Sequence, residues 1–370
     1  MRKIVKKGCQ IVVLTLVLCS LFVIGAGAEA KAGETLPQSG VEDVLSEFES
    51  LLPEEYAELS DHGAIADAVG FDRLVKIISD GVLGRGSEIL SFLLLLVGSV
   101  ILICLTSVLT SDRAPLCRGA VGVVTAVAVF SRLFPLVSEI TETLNRLSGF
   151  FGSLIPLLAT VNTMGGNVSS ASTQALGMTL TMQLYGSLGA SLSLVVGGVF
   201  AVGMLSGLGG GFASVGRAVK GFFGRGMGVF TALLAGTLSL QTLLTGVSDS
   251  TAMRVARYAI SGTVPIVGGA VSAALSTLVG GLSYAKGVIG GGAVLVLSLM
   301  AAVPLVILLL YKLCMFISLT LLDFASGGEG GECLSAISGG LDALISVYVM
   351  TSVIFIFQVI LFIMGGIALE

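Results

Sequence analysis

The chain reads as an all-α, polytopic helical membrane protein, and three features carry that reading. Hydrophobic side chains make up 55% of the 370 residues and charged ones only 11%, a balance far from that of a soluble domain. Mean hydropathy is +1.03. The apolar residues gather in runs long enough to cross a hydrocarbon core of about 30 Å. The architecture expected is a cleaved signal peptide (1–30), a short acidic extracytoplasmic helical segment (31–87) and a multi-pass domain (88–370). That domain should hold about seven to nine transmembrane helices, some of them broken or re-entrant.

The first thirty residues have the parts of a secretory leader: Arg2, Lys3, Lys6 and Lys7, an apolar stretch from Ile11 to Ile24, then Ala26, Ala28 and Ala30. The apolar stretch is shorter than the roughly 20 residues of a span, and a retained signal anchor is the alternative. Either way the chain that follows is exported. From Lys31 to Glu88 there are 13 acidic and 4 basic residues, a net charge of -9. Val41, Leu45, Phe48, Leu51 and Leu52 are spaced for one helix face, and a second amphipathic stretch runs from Ile65 to Leu83. Two solvated helices lying on the membrane domain, or a docking surface for another extracytoplasmic protein, both fit. The one histidine, His62, stands in a Ser-Asp-His-Gly turn and offers no catalyst.

The first spans are Ile89 to Leu109 and Gly119 to Val137, and the loop between them (Asp112, Arg113, Arg118) is cytoplasmic by the positive-inside rule. A polar helical piece, Ser138 to Leu147, follows outside or along the interface. Gly149 to Tyr185 is interrupted by a polar cluster from Asn162 to Gln174, which predicts a re-entrant or broken hairpin, or else two short spans. Gly186 to Ser206 is a span. The loop from Gly207 to Gly226 holds Arg217, Lys220 and Arg225 with no acid, which makes it cytoplasmic and a candidate docking site for a partner there. Its glycines do not form a phosphate-binding motif.

Met227 to Gly246 should return outward and Ala259 to Leu282 inward, leaving Lys286 inside. Pro265, Gly268 and Gly269 interrupt the second of these, which is tolerated at membrane depth only where neighbouring protein or a water-filled cavity satisfies the freed backbone. Val288 to Leu322 would then run outward. At 1.5 Å per residue it is about 52 Å long, so it must tilt, kink at Pro304 or project. Lys312 lies within it and is functional or snorkelling. Asp323 is too far along the axis to be its partner. The acidic stretch Asp323 to Asp342 belongs outside, and Ala343 to Ile367 is the last span. Pro265, Gly268, Gly269, Lys286, Pro304 and Lys312 are thus the candidate functional or packing residues.

Several functions lack their parts. No metal-ligand cluster, embedded aspartate pair or serine with a base is present, so no enzyme and no cofactor are implied. The acidic N-terminal segment argues against a nucleic-acid surface. The six cysteines show no CxxC: Cys9 and Cys19 leave with the leader, Cys104 and Cys314 lie in apolar runs, Cys117 in a basic loop, and only Cys333 looks exposed outside. A secondary transporter with a midplane site built from the two broken regions is one reading. A scaffold or channel subunit packed through small-residue faces is the other.

The stretch Arg254 to Gly292, with its basic pair, the TVPIVGG turn, Lys286 and the long apolar helix through Leu310-Tyr311-Lys312-Leu313, resembles the C-terminal half of the stage III sporulation protein AE family. The leader, acidic segment and multi-span layout are similar too. The resemblance implies a multi-pass subunit of the secretion-like channel that joins mother cell and forespore, in the mother-cell membrane surrounding the forespore. Implied partners are other membrane and ring-forming proteins of the same sporulation operon, among them a cytoplasmic secretion-type ATPase, with a forespore membrane partner met indirectly.

Overall fold

The computed structural model describes residues 39–53, 80–109, 114–164, 171–186, 197–198, 268–326 and 332–364. Among these every regular element is helical: α1 (Ser39–Leu51), α2 (Gly86–Leu109), α3 (Ala114–Met164), α4 (171–186), α5 (Gly268–Ser326) and α6 (Glu332–Met364). Four of them, α2, α3, α5 and α6, are long and apolar enough to cross a membrane. In hydrocarbon each backbone donor and acceptor must be satisfied within the segment, and uninterrupted helices do that. The leader, the loop with Arg217, Lys220 and Arg225, Pro265 and the spans expected at 186–206 and 227–246 lie outside the described residues, apart from a few positions at their edges.

The long helices pack through a buried seam that repeats every 3.5 residues. In α3 it is Leu133, Val137, Ile140, Leu144, Leu147, Phe151, Leu154, Leu158 and Val161. In α6 it is Leu334, Ile337, Leu341, Leu344, Tyr348, Thr351, Phe355, Gln358 and Phe362. In α5 it is Ala301, Pro304, Leu308, Tyr311, Met315, Ser318 and Leu322. A four-three spacing of this kind is the seam of left-handed helical bundles. It keeps one face of each helix inward over the residues named.

Side-chain contacts fix the direction of each helix. Phe92 meets Tyr311 with ring centroids 4.8 Å apart. Gly81, just before α2, faces Val303 so closely that an added Cβ would lie 2.8 Å from Val303 Cγ1. Both numbers rise together along α2 and α5, so these two run parallel. Tyr348 donates to the Ala301 carbonyl at 3.0 Å and Lys312 donates to Ser338, so α6 runs antiparallel to α5. Cys333 Sγ lies 3.6 Å from the Gly122 carbonyl, which puts the start of α6 beside the start of α3.

Three expectations need correction. The polar piece Ser138–Leu147 does not end a span; it is the middle of α3, a 51-residue helix. It stays helical because Ile140, Leu144 and Leu147 continue the seam, Thr141 and Thr143 bond back to carbonyls one turn earlier at 2.9 and 3.0 Å, and Arg146 pairs with Glu142 at 2.7 Å. Likewise the chain does not reverse near Lys286: Gly268–Ser326 is one 59-residue helix. The start of α6 lies at the same end of the bundle as the start of α3, and Cys333 is buried rather than exposed outside. Finally, Asp323 and Asp342 are not loop residues; each belongs to a helix.

The apolar part of α2, Gly86–Thr106, is 21 residues, about 32 Å at 1.5 Å per residue, which matches one hydrocarbon core. Its outward side chains Leu90, Leu94, Ile101, Leu102 and Leu105 are exposed in the bundle, as lipid-facing residues are. By the same measure α3 and α5 are about 77 and 89 Å long. They continue past the level of Arg85, and there α1 rests on α3 and α5 through Val44, Leu45, Phe48 and Leu52. Phe48 fits against Gly292, where an added Cβ would lie 3.0 Å from the ring. The acidic residues Asp43, Glu47 and Glu49 of α1 face away.

Candidate functional site

Charged residues are scarce in the bundle, and several of those described, among them Arg85, Glu88 and Glu139, fall near the level where α2 begins. Arg85 donates to Glu139 of α3 across the first hairpin. This bond, outweighing the burial that acts against it, holds the guanidinium even more firmly charged than usual; Glu88 adds to the effect. Tyr311 is close enough to feel Arg85, Glu88 and Glu139. Beside it on α5, Lys312 turns toward α6.

There Lys312 Nζ donates to Asp342 Oδ1 at 2.7 Å, to Ser338 Oγ at 2.7 Å and to the Ser338 carbonyl at 3.0 Å. Ser338 and Asp342 are one helical turn apart and so stand on one face of α6. All three ammonium hydrogens have an oxygen to meet. The contact of Phe92 with Tyr311 sets this cluster inside the apolar stretch of α2, about two turns from its start. The sequence marks Lys312 but not its partner, because the acidic stretch from Asp323 to Asp342 reads as an outer loop. The signal was available: Leu341, Leu344 and Tyr348 continue the 3.5 repeat back through Leu334 and place Asp342 beside a core position.

Pro304 is buried in α5 and removes the donor that would have met the Met300 carbonyl. The neighbouring Ala301 carbonyl takes its extra bond from the Tyr348 hydroxyl, which anchors α6 at the interruption. Gly268 and Gly269 are the first residues of α5, and Lys286 lies inside the same helix. The structure does not bring these three to the Lys312 cluster.

Beyond the charged level, α4 folds back along α3. An added Cβ on Gly152 would lie 2.8 Å from Met182 Sδ, one on Gly186 would lie 3.7 Å from Ser148 Oγ, and Asn162 bonds Gln174. Each arm of this hairpin, 149–164 and 171–186, is about 24 Å long. Gln358 Nε2 donates to Thr181 Oγ1 at 2.9 Å, and Phe355 stacks on Phe151 at 4.6 Å with Tyr185 edge-on at 6.0 Å. These neutral amides and rings were not foreseen. Among the described residues no group of three or more His, Cys, Asp or Glu could hold a metal.

A helical bundle with apolar spans and a paired lysine at membrane depth is a polytopic membrane protein. The sequence profile described as Stage III sporulation protein AE matches residues 54–366, and the chain belongs to that family. It is 23% identical over 349 residues to the Stage III sporulation protein AE of Bacillus subtilis (strain 168), covering 88% of this chain and 84% of that one. No solved structure matches it.

Proposed function

We propose that this chain is a non-enzymatic membrane subunit of a sporulation-specific, secretion-like channel that joins mother cell and forespore and is needed for forespore development after engulfment. The family match over residues 54–366 carries the reading. The bundle is compatible with it: spans packed along continuous seams make a scaffold, and the acidic face of α1 is turned away from the bundle, open to a ring-forming partner. In this reading the protein sits in the mother-cell membrane surrounding the forespore. Its partners are the other proteins of the same sporulation operon, with the secretion-type ATPase meeting Arg217, Lys220 and Arg225. The comparisons do not favour the permease alternative.

Deleting the gene in its spore-forming host tests the reading. Forespores should form, become engulfed, then shrink and lose late gene expression. Normal sporulation would overturn it. Neutralising Arg217, Lys220 and Arg225 together should lower both recovery of the ATPase with the complex and spore yield; unchanged values would remove that docking site.

A further inference from the structure

We propose that Ser338 and Asp342 of α6 form a binding site for a monovalent cation of ammonium or potassium size, and that Lys312 Nζ is its tethered occupant. The proposal stands on the geometry of this cluster and does not depend on the channel reading.

Three oxygens of different chemistry converge on one point: a carboxylate, a hydroxyl and a backbone carbonyl, at 2.7, 2.7 and 3.0 Å from the nitrogen. Each is a hard donor, and together they carry one negative charge. That set suits a monovalent cation, which exchanges its water for carbonyl and hydroxyl oxygens. Magnesium and calcium sites usually gather more negative charge, from further carboxylates or from phosphate oxygens. Ammonium and potassium are of nearly equal size, so an arrangement that fits one fits the other.

The Asp342 side chain is 47% exposed, against 25% for Lys312, so the carboxylate stands on the outer side of the cluster while the lysine fills it from the α5 side. A lysine on its own flexible stem has an effective concentration that a free ion reaches only in the millimolar range or above. The wild-type site is therefore closed to free cations, and a shorter or neutral residue at 312 uncovers it. The arrangement differs from an interhelical ion pair in the roles of Ser338: a carbonyl and a hydroxyl both turned to the same nitrogen are not needed to pair Lys312 with Asp342.

The experiment uses the full chain in detergent micelles. Thermal unfolding of wild type, Lys312→Ala and Lys312→Met is followed while KCl replaces N-methyl-D-glucamine chloride at constant total salt, with binding of radioactive rubidium measured in parallel. Wild type should shift little and bind no rubidium. Lys312→Ala should show a saturable rise of about 3 °C or more and bind one rubidium per chain, displaced by KCl. Adding Asp342→Asn or Ser338→Ala to it should abolish both. Lys312→Met keeps the apolar stem and serves where the alanine variant does not fold; recovery of either variant only when potassium is present during purification also supports the site. The proposal is overturned if folded variants show neither response, if the response survives Asp342→Asn, or if neither variant folds with any cation. In those cases Lys312 and Asp342 are a coiled-coil type ion pair and no more.

Discussion

The two halves of the bundle are held together by different chemistry. Where α2 crosses, the hairpins α2–α3 and α5–α6 are each tied across by one charged pair, Arg85 with Glu139 and Lys312 with Asp342. Beyond that level the ties between α3, α4 and α6 are uncharged: stacked Phe151 and Phe355, Asn162 with Gln174, and Gln358 with Thr181. A charge pair has long reach in a low-dielectric surrounding, which suits helices that must keep their level relative to each other in lipid. A stacked ring or an amide works only at contact distance, which suits a hairpin folded tightly onto its neighbours.

The largest expected effect lies in the uncharged half. Phe355 is fully buried between Phe151 and Tyr185, and Phe355→Ala should cost about 3–5 kcal/mol, read as a lower unfolding midpoint in micelles. If it costs less than Lys312→Met, charges hold both halves and the contrast fails. In the charged half, Lys312→Met should cost about 1.5–3 kcal/mol through the loss of bonds to a charged group. The exchanged pair Lys312→Asp with Asp342→Lys should recover part of that, which a double-mutant comparison measures.

Packing gives the next step down. Gly81→Ala sets a Cβ 2.8 Å from the stiff Val303 and should cost about 1–3 kcal/mol, whereas Gly152→Ala meets the flexible Met182 and should cost less. Equal losses would show that the α3–α4 hairpin is as rigid as the crossing between α2 and α5. The smallest effect is expected at Gln358. Its Oε1 has no hydrogen-bond partner among the described residues, so Gln358→Leu exchanges one bond to Thr181 for removal of a stranded acceptor. The net change should stay within about 1 kcal/mol. A loss above about 2 kcal/mol in the same assay would show that this oxygen has a partner of its own.

The helical, membrane-spanning class was legible from composition and run length, and so were Pro304 and Lys312, because a proline or a lysine inside an apolar run is conspicuous. Where helices end was much less so. Hydropathy cut α3 at Val137, since Ser138, Glu139, Thr141, Glu142, Thr143 and Arg146 lower the average, although Ile140, Leu144 and Leu147 keep the seam unbroken. An average over a window loses that periodicity. The same averaging divided α5 around Lys286, and with that division the acidic stretch was expected opposite the start of α3, beside which α6 in fact begins. The partners Asp342, Ser338 and Thr181 were not readable, because pairing depends on which helices become neighbours, and no local pattern records that.

Pro304 stands at the level of Gly81 and Arg85, where α2 begins. From there to Gly268 the helix runs on for about 54 Å at 1.5 Å per residue. A missing backbone hydrogen bond at such a point is a place where a helix bends. At this one the Tyr348 hydroxyl donates to the Ala301 carbonyl, and upstream of it Ile289, Ala293 and Leu297 are fully buried, so whatever bend the proline sets is held in place by the neighbouring helices.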